Sequence, residues 1–212
     1  MIKFRDRADG GKKLAQKLEA YRDKSNTIVI GLPRGGVVTA YQIARELHLP
    51  LDIIVPRKIG APFNPELAVG ALTQEGTCVW NAELMQRLGL TPADLAHTIA
   101  EEQAEAARRL ATYRGNRPPL DLKNKTVILV DDGIATGATM RAAIASAHAM
   151  GAHKVIVAVP VAPQDTLDLL RQEADEVICA YVPTFFGGVG AFYEMFPQTT
   201  DAEVIDIMHK FA

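Results

Sequence analysis

Apolar positions in the second half of the chain follow two alternating rhythms. Residues 126–130, Thr-Val-Ile-Leu-Val, are a short β-branched run, the pattern of a strand buried on both faces. Residues 137–150 return to helical spacing, 154–159 form a second β-branched run, 166–172 a helix and 176–181 a third strand. Strands alternating with helices at this interval predict a parallel sheet with crossover helices, an α/β fold. The first half carries a similar rhythm. A helix is predicted over 12–21, with Leu14, Leu18 and Tyr21 on one face, and a strand over 27–31. Pro33-Arg34-Gly35-Gly36 breaks the pattern; a helix over 37–47 and a strand over 51–55, closed by Pro56, then follow.

Two segments depart from this alternation. Residues 57–66, Arg-Lys-Ile-Gly-Ala-Pro-Phe-Asn-Pro-Glu, show no period and read as an exposed, mobile loop. Residues 67–72 and 77–80 predict a hairpin around Gln74-Glu75-Gly76. A helical section covers 81–88 and 92–113, with Thr91 as N-cap, Pro92 at the first helical position and Asp94 on the first turn. Its second helix is rich in Ala, Glu and Arg. It reads as a solvated cover or an oligomer contact, which leaves room for a homodimer, and no catalytic role is assigned to it. The tail, 183–212, opens with Pro, two Phe and three Gly and ends in a helix capped by Thr200 and Glu203.

At 212 residues the chain is expected to form a single domain, 1–212, whose core needs no disulfide or metal. Its 23 Lys and Arg against 25 Asp and Glu argue against a non-specific nucleic-acid binder, though not against a small basic pocket. No apolar run is long enough for a bilayer and the N-terminus has no apolar signal region, so no membrane partner and a cytoplasmic location are expected. Cys78 and Cys179 read as two inert core thiols, with one disulfide as the alternative. The five His residues show no metal-ligand spacing.

Chemistry concentrates at 127–139, Val-Ile-Leu-Val-Asp-Asp-Gly-Ile-Ala-Thr-Gly-Ala-Thr. Asp131 and Asp132 stand at the C-terminal edge of a central strand, where ligands of open α/β sheets bind. A small-residue loop then runs into a helix start, whose backbone N–H groups and dipole favour an anion. Thr136 and Thr139 add hydroxyl donors, and Gly137 lets the backbone come close. Carboxylates accept strongly from sugar hydroxyls and repel phosphate. The two ends of the loop thus suit a diol and a phosphate, as in a ribose 5-phosphate. A P-loop is excluded because no Lys follows Gly137, and 31–36 does not fit the Rossmann glycine pattern.

This segment resembles the 5-phosphoribosyl 1-pyrophosphate (PRPP) motif of type I phosphoribosyltransferases. Pro33-Arg34-Gly35-Gly36 resembles that family's pyrophosphate loop, Arg57-Lys58 and the loop to Glu66 its flexible catalytic loop, and the tail from Pro183 its hood. The resemblance implies a parallel sheet flanked by helices, with a flexible loop hairpin and a small hood; 81–113 would be a helical insertion. It implies that Asp131 and Asp132 hold the ribose hydroxyls, directly or through Mg²⁺. Ala135, Thr136, Gly137, Ala138 and Thr139 would hold the 5-phosphate, and Arg34, Gly35 and Gly36 the pyrophosphate. Arg57 or Lys58 would neutralise the departing pyrophosphate. Phe185 and Phe186, with Phe192 and Tyr193, could stack on an acceptor base or form the hood's core. Hypoxanthine-guanine members carry an Asp where this chain has Ala135, so the usual chemistry of that subgroup is not implied. The implied activity is PRPP-dependent transfer to a nucleobase-like acceptor. A sensor of PRPP or nucleotide on the same fold is the alternative, disfavoured by the retained Arg57 and Lys58.

Overall fold

A computed structural model describes residues 3–73 and 76–211. The main sheet has five parallel strands in the order β2-β1-β6-β7-β8. They are β1 (Thr27–Gly31), β2 (Leu51–Ile53), β6 (Thr126–Val130), β7 (Lys154–Val161) and β8 (Glu176–Tyr181). A second, antiparallel sheet is formed by β3 (Arg57–Ala61), β4 (Asn64–Leu72) and β5 (Cys78–Trp80). The helices are α1 (Arg7–Lys17), α2 (Gly35–Leu47), α3 (Ala82–Leu88), α4 (Ala96–Arg114), α5 (Ala138–Ala149), α6 (Gln164–Leu170) and α7 (Asp201–Lys210).

The two-residue period of a strand sends alternate side chains to opposite faces, and here both faces are apolar. Ile28, Ile30, Val127, Leu129, Val155 and Val157 pack with Ile144 of α5 and Leu167 of α6. Val29, Ile128 and Ile156 face the other way, onto Leu14 of α1 and Ile43 and Leu47 of α2. This is the α/β architecture expected, a parallel sheet flanked by helices. The chain leaves β1 toward β2 on one side and later places β6 on the other. The ends of β1 and β6 are therefore neighbours, with Gly31 opposite Val130. The segments that follow them emerge at a reversal of strand order, where such sheets bind ligands.

Several boundaries move. The first helix starts at Arg7, not residue 12, because Asp6 caps it by accepting from the Asp9 N–H. Residues 57–61 are not an irregular loop but the first strand of a hairpin. Arg57, Lys58 and Ile59 pair with Leu72, Ala71 and Gly70, and the register then slips on both sides of Gly60. The strand is short, and its two buried positions, Ile59 and Ala61, stand beside Arg, Lys and Gly, so little apolar period is there to read. The predicted turn residues Gln74 and Glu75 lie outside the described residues. The helical section packs on this second sheet, with Met85 and Leu95 against Ile59, Val69 and Leu72. Thr91 and Asp94 form a capping box, as do Thr200 and Glu203 at α7. Cys78 and Cys179 are free thiols, partly buried and packed against the edges of two core clusters. Among the described residues no helix is long and apolar enough to cross a membrane.

Candidate active site

The acidic pair sits where β6 ends. Asp131 Oδ1 accepts from the backbone N–H of Asp132 at 2.8 Å. Asp132 Oδ2 lies 2.6 Å from Arg7 Nε, contributed by the first turn of α1. Arg7 also donates to the Pro197 carbonyl at 2.6 Å and lies 3.8 Å over the Phe196 ring. Tyr193 donates its hydroxyl to the Asp132 carbonyl and stacks on Phe196. The start and the tail of the chain thus meet at the second aspartate. Burial, then the charge of Asp132, pushes the Asp131 carboxyl well above its ordinary range. Burial also raises Asp132, while Arg7 pulls it back. Burial and the charge of Asp132 push Tyr193 up as well. Two adjacent carboxylates thus share one neighbouring organic cation, Arg7, which contacts Asp132.

The structure brings the glycines of the 33–36 segment against this pair. A Cβ on Gly35 would stand 1.9 Å from Asp132 Oδ2, and one on Gly36 would stand 2.7 Å from the Val130 carbonyl oxygen. Only glycine allows that approach. The Pro33–Arg34 peptide is cis. Arg34, at the start of α2, reaches Asp201 of α7 at 3.4 Å, and Asp201 also accepts from Tyr113 at 2.7 Å. These two donors hold the Asp201 carboxyl below its usual value, Tyr113 most strongly.

The loop after the acids runs through Ile134, whose N–H donates to the Val161 carbonyl at 2.9 Å, and Ala135, whose carbonyl accepts from Thr166 Oγ1 at 2.7 Å. Gly137 then takes a left-handed φ of +80° as the residue before α5, a conformation costly for other residues. Ala135, Thr136 and Thr139 are exposed and Ala138 is half-buried at the start of that helix. Arg57 and Lys58 lie on β3 at a cleft of about 200 Å³ that also touches Pro33 and Thr139. Arg57 is ion-paired with Glu102 of α4.

The predicted acceptor residues separate. Phe186 stacks on Phe192 with ring centres 5.7 Å apart, and Phe192 and Tyr193 are buried with Phe4 in a small aromatic core. Phe185 is 85% exposed. Arg7, Glu102 and Arg109 are among the residues here that the sequence did not single out. Arg7 lies 125 residues from its partner, and no sequence spacing reveals it. Glu102 and Arg109 share a helix face through their seven-residue spacing, a signal that was present in the sequence.

This fold and site define a class. A model of the phosphoribosyl transferase domain matches residues 4–193, and the chain belongs to that family. Proteins from two Mycobacterium tuberculosis strains, both carrying the name "putative phosphoribosyl transferase", are each 42% identical over 207 residues, 98% of this chain and 46% of theirs. The chain thus spans about half the length of these curated relatives. The crystal structure of TT1426 from Thermus thermophilus is similar with a TM-score of 0.91 at 39% identity, covering 100% of each chain.

Proposed function

We propose that this chain transfers the phosphoribosyl group of PRPP to a nucleobase-like nitrogen acceptor, releasing pyrophosphate, in the cytoplasm. The observation that carries the reading is the contact of Gly35 and Gly36 with Val130, Asp131 and Asp132. It joins a segment suited to pyrophosphate with one suited to a phosphorylated ribose, at the reversal of strand order.

In this reading the acceptor nitrogen forms a bond to the anomeric carbon as the bond to pyrophosphate breaks, and the acceptor's proton is lost. Positive charge grows on the ribose and negative charge on the leaving group. Asp131 accepts from the ribose hydroxyls and offsets the sugar's charge. The start of α5, with Ala135, Thr136, Gly137, Ala138 and Thr139, receives the 5-phosphate. Arg34, Gly35 and Gly36 hold the pyrophosphate, and Arg57 and Lys58 face the charge that it gains. Phe185, the exposed ring of the tail, is the residue available to stack on the base.

The residues present fit Mg²⁺. Among the described residues no group of three or more metal-ligating side chains occurs. Mg²⁺, however, is commonly held by one or two carboxylates together with substrate phosphates and water. Asp131 and Asp132 are adjacent oxygen donors at the end of β6, and the contact of Arg7 there involves one oxygen of Asp132. When bound, the ion would neutralise the pyrophosphate.

The test is calorimetry with PRPP and Mg²⁺, followed by a pyrophosphate-release assay over a panel of bases. Binding together with base-dependent release is expected. No binding at millimolar PRPP would overturn the reading. Binding without release on any base would favour the PRPP-sensing alternative.

A further inference from the structure

The cleft beside the 33–36 segment is built by more than the family's motif. Its volume is about 200 Å³, and Pro33, Arg57, Lys58 and Thr139 share it with Glu102 and Arg109. The last two come from α4, in the helical section outside the motifs that carry the resemblance. Its lining includes three cationic side chains, Arg57, Lys58 and Arg109, and one carboxylate, Glu102. Three cationic side chains around one small cleft suit a small, multiply charged anion.

The pairing pattern shows how such an anion would be accommodated. Arg57 is held by Glu102. Arg109 is held by Glu105 at 2.6 Å, but Glu105 is shared with Arg108, which contacts both of its oxygens at 2.8 and 2.9 Å. Those two arginines keep the Glu105 carboxyl down at about 2, so it stays ionised. If Arg109 turns toward a ligand, Glu105 keeps Arg108. Arginine's planar fork matches phosphate oxygens in pairs. α4 is also anchored away from the cleft, because Arg114 at its end grips Asp52 of β2 through two 2.9 Å contacts.

We propose that α4 is a wall of the pyrophosphate site, in which Arg109 contacts the pyrophosphate and Glu102 is the counter-ion that Arg57 exchanges for it. This rests on the PRPP reading above and adds two residues to it. Glu102 holds Arg57 in place while the site is empty and repels an anion that enters. Arg109 adds a cation to the cleft from α4.

The experiment compares binding of PRPP, ribose 5-phosphate and inorganic pyrophosphate to wild type, Arg109→Gln, Arg109→Lys and Glu102→Gln, with thermal melts as the fold control. Arg109→Gln should weaken PRPP and pyrophosphate by about tenfold to a hundredfold, the loss of a charged hydrogen bond. Arg109→Lys should recover part of that loss. Glu102→Gln should tighten both ligands by up to about fivefold, the scale of a part-exposed ion pair. Ribose 5-phosphate should bind all four proteins alike. A gain of affinity cannot come from misfolding, so the Glu102 variant keeps the test open if the Arg109 variants are unstable. Unchanged PRPP and pyrophosphate binding in both Gln variants would overturn the proposal, as would an equal loss of ribose 5-phosphate binding in Arg109→Gln. If wild type binds pyrophosphate through Arg109 but does not bind PRPP, the function reading falls and the cleft assignment stands.

Discussion

Arg7 Nε lies 2.6 Å from Asp132 Oδ2, with only 10% and 15% of the two side chains exposed. A residue from the first helix thereby neutralises one of two adjacent carboxylates at the end of β6. Removing one partner of a buried pair strands the other charge, at a cost of about 3–5 kcal/mol. Arg7 also holds the Pro197 carbonyl and packs on Phe196, so its loss loosens the tail as well. Arg7→Met is expected to destabilise the protein by about 3 kcal/mol or more in urea unfolding. A midpoint equal to that of wild type would show that the pair carries no stability.

Asp131 should trade stability for function. Burial and the neighbouring charge of Asp132 raise its folded-state pKa above the ordinary 3.8. In the window just above 3.8 the folded chain therefore keeps a proton that the unfolded chain has lost. Stability falls as pH rises through that window, and above it the whole penalty is present. Asp131→Asn removes both the fall and the penalty. Its Tm should exceed that of wild type at neutral pH, and the two should converge as the pH drops toward 3.8. The same change removes a charged acceptor from the ribose, so PRPP affinity should fall by about tenfold to a hundredfold. Parallel Tm curves across that range would show that Asp131 titrates as an ordinary carboxylate.

Asp52 and Arg114 tie α4 to the edge strand of the main sheet. Their side chains are 11% and 8% exposed, and Asp52 also accepts from the Ile53 N–H at 2.8 Å. Arg117 approaches Asp52 only to 4.0 Å and cannot replace the two-pronged contact. Arg114→Met should cost about 3–5 kcal/mol. Arg114→Met combined with Asp52→Leu should cost less than Arg114→Met alone, because the Asp52 carboxylate is no longer stranded. Chemical denaturation of the single and double variants measures this. A double variant less stable than Arg114→Met alone would refute the account.

How legible these features were depended on how local they are. The strands Thr126–Val130 and Glu176–Tyr181 have the bounds expected from the sequence, because each is a short β-branched stretch between helical spacings. The 127–139 segment was legible for the same reason: its acids, glycines and hydroxyls are contiguous. The hairpin at Arg57–Ala61 was not, since only Ile59 and Ala61 mark its buried face and its Gly and Pro content mimics a loop. The role of Arg7 was hidden by the 125 residues that separate it from Asp132. The tail's aromatic rings show a different limit. Adjacent Phe185 and Phe186 are chemically identical, yet one stands in solvent and the other stacks on Phe192. Only tertiary packing distinguishes them.

Lys58 tests whether the second sheet takes part in chemistry. It lies on β3 opposite Ala71 and lines the cleft between Pro33 and Thr139. The register slips just beyond it, on both sides of Gly60, and such an irregularity locally bends a strand. If Lys58 meets pyrophosphate mainly as charge builds on the leaving group, its contact belongs to the transition state more than to bound PRPP. Such a contact changes turnover and leaves ground-state affinity nearly unchanged. Lys58→Ala is therefore expected to bind PRPP with the affinity of wild type and to release pyrophosphate slower by on the order of a hundredfold, the scale for losing one electrostatic stabiliser. Arg57 lines the same cleft, so the variant lacking both cations should be slower still. Calorimetry gives the affinity, and a coupled pyrophosphate assay gives the rate. If both variants turn over at the wild-type rate, the hairpin has no part in the reaction. If Lys58→Ala weakens PRPP binding as much as it slows release, the contact is already made in the ground state and the hairpin is a binding wall rather than a catalytic one.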